Sequence, residues 1–216
     1  MSADGKIATA DRRIQTFGSR EDHDRLMRLR TTADAVMSGS STVGSADYDL
    51  GPGEQHWRDL RIQNGLAEYN LRIVVSGSGS LSPDAHLFQK DFSPVIVLTT
   101  DRCPDGNRRA LLERTPHVHS FGKTTIDWHR VLKWLKSEWH INRLACEGGG
   151  DLNESLIRMG LVDKLYITVT PLIVGGRSSP TIADGEGITK LADASRYRLI
   201  RTEVGKSEVF LDYDRV

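Results

Sequence analysis

Two stretches of the chain, "LRIVVSG" (71–77) and "SPVIVLTT" (93–100), are apolar and β-branched through most of their length and end in small or polar residues. A strand with one wet face alternates apolar and polar residues. These two do not, so they read as strands buried on both faces. "DAVMSG" (34–39) and "NRLACEG" (142–148) read as two further short strands. Doubly buried strands need helices over each side of a largely parallel sheet, which narrows the chain to the α/β class.

The segments between them supply those helices. "SREDHDRLMRLRTTA" (19–33) opens on Ser19 with Asp22 three residues on, a capping box with Asp in place of Glu or Gln, and puts Leu26 and Leu29 on one face. "IDWHRVLKWLKSEW" (126–139) sets Trp128, Val131, Leu132, Leu135 and Trp139 at helical spacing behind Asp127 as N-cap. "DLNESLIRMG" (151–160) is a helix stopped by Gly160. The last third turns strand-like in "KLYITVTPLIVGG", "YRLIRTEVG" and "EVFLDYDRV", the last two paired antiparallel around "VGKS". The expectation is one domain over 1–216. It has a mixed, mostly parallel sheet flanked by helices and an antiparallel hairpin at the carboxyl end.

Charge and cysteine usage narrow the function. Lys plus Arg equals Asp plus Glu at 29 each, so no net field draws in nucleic acid or an anionic membrane. No apolar run approaches the roughly 20 residues that span a bilayer, and no signal pattern opens the chain. The reading is a cytoplasmic protein. Two cysteines, Cys103 and Cys146, lack metal spacing, and Cys146 reads as a reduced core thiol. "HVH" (117–119) puts two histidines on one strand face with no third ligand in view, so no metal is expected.

Two strand–helix junctions carry the chemistry. In "ACEGGGDLNES" (145–155), glycines permit a tight turn and close backbone approach, and the helix start beyond them offers free amides and a positive dipole end to a phosphate. Asn153 and Ser155 add side-chain hydrogen bonds. The pattern is not G-x-G-x-x-G, so a turn holding no ligand stays open as a reading. Glu147, at the carboxyl end of its strand, satisfies its charge either by an ion pair with an arginine or by a hydrogen bond to substrate; the second is preferred. Gly39, Ser40, Ser41 and Thr42 form the second junction, where hydroxyls and amides meet a phosphate or merely cap a helix.

Four blocks in order, "MSADGKIA" (1–8), "LRTTADAVMSGSSTV" (29–43), "ACEGGGDLNESLIRMGLVDKLYITVTPLIVGG" (145–176) and "LADASRYRL" (191–199), resemble the reductase domain of riboflavin biosynthesis. That domain has the dihydrofolate reductase fold. It is the carboxyl-terminal half of the bacterial deaminase-reductase and a stand-alone enzyme in archaea and fungi. The resemblance implies an NADPH-dependent oxidoreductase, similar to 5-amino-6-(5-phosphoribosylamino)uracil reductase, that reduces a ribosylaminopyrimidine 5′-phosphate at C1′ to the ribitylamino compound. It further implies substrate contacts at Arg30 and Glu147, with Glu147 the catalytic candidate, and a homodimer. NADPH contacts fall at Gly39 to Thr42 and at Gly148, Gly149, Gly150, Asp151, Leu152, Asn153 and Ser155. The deaminase half's H-x-E with P-C-x-x-C is absent.

The chain departs from the family pattern on the substrate side. Ile14 and Thr16 stand where Ser and Trp are frequent, Ala46 replaces an Asp, and no Arg follows Leu50 to grip a substrate phosphate. The alternatives are therefore a reductase of the same fold with another heterocyclic or carbonyl substrate, or a non-catalytic nucleotide-binding protein. In the family a buried strand precedes the "MSADGKIA" block, and the expectation is a longer native amino end.

Overall fold

The computed structural model describes residues 1–12, 17–44 and 48–216. The departures at Ile14, Thr16 and Ala46 lie outside the described residues. In chain order, α1 (Arg20–Arg30) leads to β1 (Ala35–Gly39), the single turn α2 (Ser40–Val43) and α3 (Gln55–Gln63). Next come β2 (Leu71–Val75), β3 (Val95–Thr99), α4 (Asp105–Leu112), β4 (Val118–Ser120), α5 (Trp128–Trp139) and β5 (Leu144–Cys146). Last are α6 (Gly150–Arg158), β6 (Lys164–Val169), β7 (Tyr197–Val204) and β8 (Val209–Arg215). Two compact units emerge: Arg25–Glu147, and Met1–Asp24 with Gly148–Val216.

In the unit Arg25–Glu147, five strands form an all-parallel sheet in the order β4-β3-β2-β1-β5. The inner strands are those whose sequences never alternate. Ile73 and Val74 of β2 and Ile96, Val97 and Leu98 of β3 are fully buried, together with Val36 and Met37 of β1. Val36, Val74 and Val97 pack with Leu50, Leu87 and Leu111 into one cluster. At the edge, β5 starts where the Asp34 carboxylate accepts the amides of Asn142 and Arg143, each at 2.8 Å. An edge strand is covered less well, so Cys146, which forms no disulfide, is half-buried where a core thiol was expected.

Helix α5 follows its sequence pattern. Asp127 accepts the Arg130 amide at 3.1 Å, and Trp128, Val131 and Leu135 are buried. In α1 the buried residues are Met27 and Arg30, while Leu26 and Leu29 are half-buried.

In the other unit, β6, β8 and β7 form an antiparallel sheet in that order. The hairpin expected around "VGKS" joins β7 to β8. The parallel strands form a five-stranded sheet and the antiparallel strands a three-stranded one, in keeping with the mixed α/β class and the carboxyl-terminal hairpin expected from the sequence. The capping box at Ser19 forms by half. The Asp22 amide donates to Ser19 Oγ at 3.3 Å, but the Ser19 amide and hydroxyl go to the buried Glu208 carboxylate at 2.8 and 2.6 Å. A partner 189 residues away in sequence has taken the place of Asp22.

Asp127→Ala removes a helix cap and is expected to lower stability by about 1 kcal/mol. Leu135→Ala, which opens a cavity under the same helix, costs about 2–5 kcal/mol. Urea unfolding of both variants checks the ranking, and Asp127→Ser retains most of the cap.

Candidate active site

Strands β1 to β4 are added to one side of β1 in sequence order, and β5 is added to the other. The strand order therefore reverses between β1 and β5, and open parallel sheets bind ligands at the carboxyl ends of the strands flanking such a reversal. Gly39 to Thr42 leave β1 at that point, with Ser41 exposed and Ser40 and Thr42 half-buried in the single turn α2. Glu147 leaves β5 there. Its amide donates to Met37 O at 2.8 Å, extending the β1–β5 ladder by one residue.

The structure joins the two substrate candidates in one pair. Arg30 Nε donates to Glu147 Oε1 and Arg30 Nη2 to Oε2, both at 2.6 Å. The side chains retain only 5% and 7% of their exposure, so each charge depends on the other for the solvation it has lost. Burial opposes the Arg30 charge, but the Glu147 carboxylate outweighs it and holds the guanidinium above its ordinary pKa. The ion pair and the substrate contact, alternatives in the sequence, thus concern the same two residues.

Arg30 is held from behind by a second buried arginine. Arg61 on α3 donates through Nη1 to the carbonyls of Arg30 and Ala33, at 2.5 and 2.8 Å, and through Nε to Ala67 O at 2.9 Å. It thereby ties together two carbonyls at and just beyond the end of α1, of which Arg30 O also accepts the Ala33 amide at 3.3 Å. Asn64 Nδ2 adds a bond to Thr31 O at 3.0 Å.

Tyr48 is a site residue that no sequence motif announced. Its hydroxyl donates to Glu147 Oε2 at 2.5 Å and accepts from Arg30 Nη2 at 3.0 Å. The segment beyond it is pinned over the pair. Gly51 O accepts from Arg30 Nη1 at 2.5 Å, and Leu50 is fully buried with its carbonyl bonded to Asn70 Nδ2 at 2.8 Å. Burial first, and then the adjacent carboxylate, raise the Tyr48 pKa above its ordinary value. The only signal in the sequence was negative: this is the stretch that departs from the family pattern.

The glycine turn opens the other unit. Gly148 has φ +84°, a conformation costly for a side-chain-bearing residue, and its peptide bond to Gly149 is cis. Gly150 is close-packed, since a Cβ there would strike Asp184 Oδ2 and lie 2.6 Å from Thr181 O. The first backbone bond of α6 runs from the Asn153 amide to Gly149 O at 2.9 Å. The amides of Gly150, Asp151 and Leu152 ahead of it are the first-turn donors of the helix. The Asn153 side chain donates one Nδ2 hydrogen to Ile182 O at 2.9 Å. The Asp151 carboxylate is exposed and 4.0 Å from Arg12. Leu152 is buried and Ser155 half-buried in α6.

The "DGK" of the first block has a structural task in this unit. Asp4 accepts the amides of Val174 and Gly175 at 3.1 and 2.7 Å and the Ser2 hydroxyl at 2.6 Å, and Lys6 Nζ reaches Ser179 O at 3.0 Å. These hydrogen bonds, the Ser2 hydroxyl foremost, pull the Asp4 pKa from 3.8 to about 2. In the unit Arg25–Glu147, His117 meets Trp139 edge-on and His119 lies tilted against Trp134. No group of three His, Cys, Asp or Glu among the described residues could hold a metal ion. No helix among them is long and apolar enough to cross a membrane.

The architecture is that of an α/β protein with a parallel sheet, a buried arginine–carboxylate pair at its reversal point and, next in sequence, a glycine turn into a helix. The chain belongs to the RibD C-terminal domain family, which matches residues 1–211. It is 34% identical over 213 residues to a Methanothermobacter thermautotrophicus protein named 2,5-diamino-6-ribosylamino-4(3H)-pyrimidinone 5′-phosphate reductase, covering 99% of this chain and 94% of that one. Its fold is similar to that of a pyrimidine reductase-like protein from Corynebacterium diphtheriae, with a TM-score of 0.81 at 20% identity, covering 100% of this chain and 89% of the other. It is also similar to Acinetobacter baumannii RibD, with a TM-score of 0.76 at 18% identity; all of this chain is covered, but it spans only 55% of that one.

Arg30→Met strands a buried carboxylate, and the expected loss of stability is about 3–5 kcal/mol, measurable by urea unfolding at neutral pH. For Asp4 the folded pKa lies below the unfolded one. Its contribution is therefore present above pH 3.8 and lost as pH falls through about 2. Hydrogen exchange at the Val174 and Gly175 amides, corrected for intrinsic rates, is expected to accelerate over that window and to be fast at all pH values in Asp4→Asn.

Proposed function

We propose that this chain is an NADPH-dependent oxidoreductase of riboflavin biosynthesis that reduces the ribosylamino side chain of a pyrimidine 5′-phosphate to ribitylamino. The observation that carries this reading is the Arg30–Glu147 pair at the sheet's reversal point, in a chain whose 34% identical relative bears the name of such a reductase. Bound in this fold, a reduced nicotinamide supplies the hydride. The chain's own task is alignment, so no side chain has to act as acid or base.

In this reading Glu147 accepts hydrogen bonds from the heterocycle, and Arg30 fixes that carboxylate in orientation through two N–H donors. The amides of Gly150, Asp151 and Leu152 suit the cofactor's phosphates, which favour the open first turn of a helix. The exposed Asp151 carboxylate opposes an anion there, and Arg12 is placed to offset it. Gly148, Gly149 and Ser155 are assigned to the cofactor with them, and Asn153 supports the turn through its bond to Ile182. Gly39, Ser40, Ser41 and Thr42 are assigned to the cofactor on the strength of their place at the carboxyl end of β1. Leu199, Ile200 and Val204 on β7 are 49%, 52% and 77% exposed, which supports a homodimer that covers them. A cytoplasmic enzyme acting on a small molecule, with no metal and no nucleic-acid partner, completes the reading.

Titration with NADPH and NADH, followed by tryptophan quenching, is expected to show saturable binding that prefers NADPH. Absence of binding by folded protein contradicts the proposal. Glu147→Gln is expected to retain NADPH affinity and lose turnover by about 100-fold or more, and unchanged turnover would remove Glu147 from the chemistry.

A further inference from the structure

The hydrogen-bonding capacity of Glu147 can be counted. An ionised carboxylate has about four acceptor positions. Arg30 Nε fills one on Oε1, and Arg30 Nη2 fills one on Oε2. The Tyr48 hydroxyl fills the second on Oε2. Among the described residues, Oε1 alone keeps a position open. Arg30 can be counted in the same way. Of its five N–H donors, two go to Glu147, one to Tyr48 and one to Gly51 O, which leaves one on Nη1.

Tyr48 holds its place firmly. The guanidinium carbon of Arg30 lies 5.3 Å from its ring centroid, and the ring packs on the cluster that contains Val36, Val43 and Leu50. Because burial raises its pKa, the phenol stays protonated at neutral pH and meets the carboxylate as a donor.

Resting on the reductase reading above, we propose that Tyr48 is a specificity-determining residue. By filling one acceptor position of Glu147, it selects pyrimidines that present a single isolated N–H to the carboxylate over those that present a ring N–H with an amino group beside it. A 2-oxo pyrimidine is of the first kind, its N–H flanked by carbonyls, and the remaining Arg30 donor suits one of those carbonyls. A 2-amino pyrimidinone is of the second kind, and its two donors call for two acceptors. Here it must displace the phenol or bury an N–H without a partner, and a site built around polar groups discriminates strongly against an imperfect match. The Methanothermobacter relative carries the 2-amino compound in its name, so the proposal gives this chain the other preference.

The test uses the full chain with NADPH and two substrates: the 2-amino ribosylaminopyrimidinone phosphate and its 2-oxo counterpart. The expected wild-type preference is at least about tenfold in kcat/KM for the 2-oxo compound. Tyr48→Phe retains the ring but frees the acceptor position. It is expected to reduce that ratio about tenfold, chiefly through a lower KM for the 2-amino compound. The ratio does not depend on how much of a variant is folded, because both substrates meet the same enzyme. A wild-type preference for the 2-amino compound overturns the proposal, as does a ratio unchanged in Tyr48→Phe. Failure of the wild type to turn over either compound instead overturns the reductase reading, and the proposal with it.

Discussion

A guanidinium and a carboxylate that are both more than nine-tenths buried have few arrangements open to them, and the local structure around Arg30 and Glu147 satisfies that constraint. Each ion lost several kcal/mol of hydration on burial, which only close, well-oriented partners restore. The last turn of α1 carries Arg30, the end of β5 carries Glu147, and Arg61 fastens the carbonyls behind Arg30. Tyr48 and Gly51 take further polar atoms of the pair, which fastens residues 48–51 to it. A pair of this kind adds little net stability compared with a well-packed apolar core. It does fix one arrangement of α1, β1 and β5, because any other leaves a charge unpaired. It also sits where the strand order reverses, so the same constraint shapes the carboxyl end of the sheet at that point.

What was legible in the sequence and what was not divides along physical lines. The interiors of β2 and β3 were legible because a strand buried on both faces has no reason to alternate. Helix α5 was legible because Asp127 and the Trp128, Val131, Leu135 stripe are local signals. Arg61 and Arg72 were not. Arg61 lies in α3, a helix not read from the sequence, and Arg72 in the apolar run of β2; both are buried and satisfied by carbonyls that only the folded chain brings near. Arg72 Nη1 donates to Leu87 O at 2.7 Å and Nη2 to Lys90 O at 2.8 Å, and Nη2 also meets Ser93 O.

The same limit governs the site. Composition placed a carboxylate at a strand end, and resemblance placed an arginine opposite the substrate, but their pairing across 117 residues is a tertiary fact. Tyr48 had no motif at all. The bond from Asn153 Nδ2 to Ile182 O was not legible either, because it depends on a carbonyl that a distant loop presents. The Ser19 cap shows this once more: the local partner was correctly placed, yet Glu208 took the bonds.

The central claim is that one pair of side chains serves both the fold and the chemistry, and a double-mutant cycle tests it directly. Arg30→Met, Glu147→Gln and the double variant would be compared with the wild type in folding free energy and in kcat/KM for NADPH oxidation. The account predicts a coupling of at least about 1.5 kcal/mol in both quantities. Coupling in folding alone, with additive effects on turnover, would make the pair a structural device and contradict its place in the site.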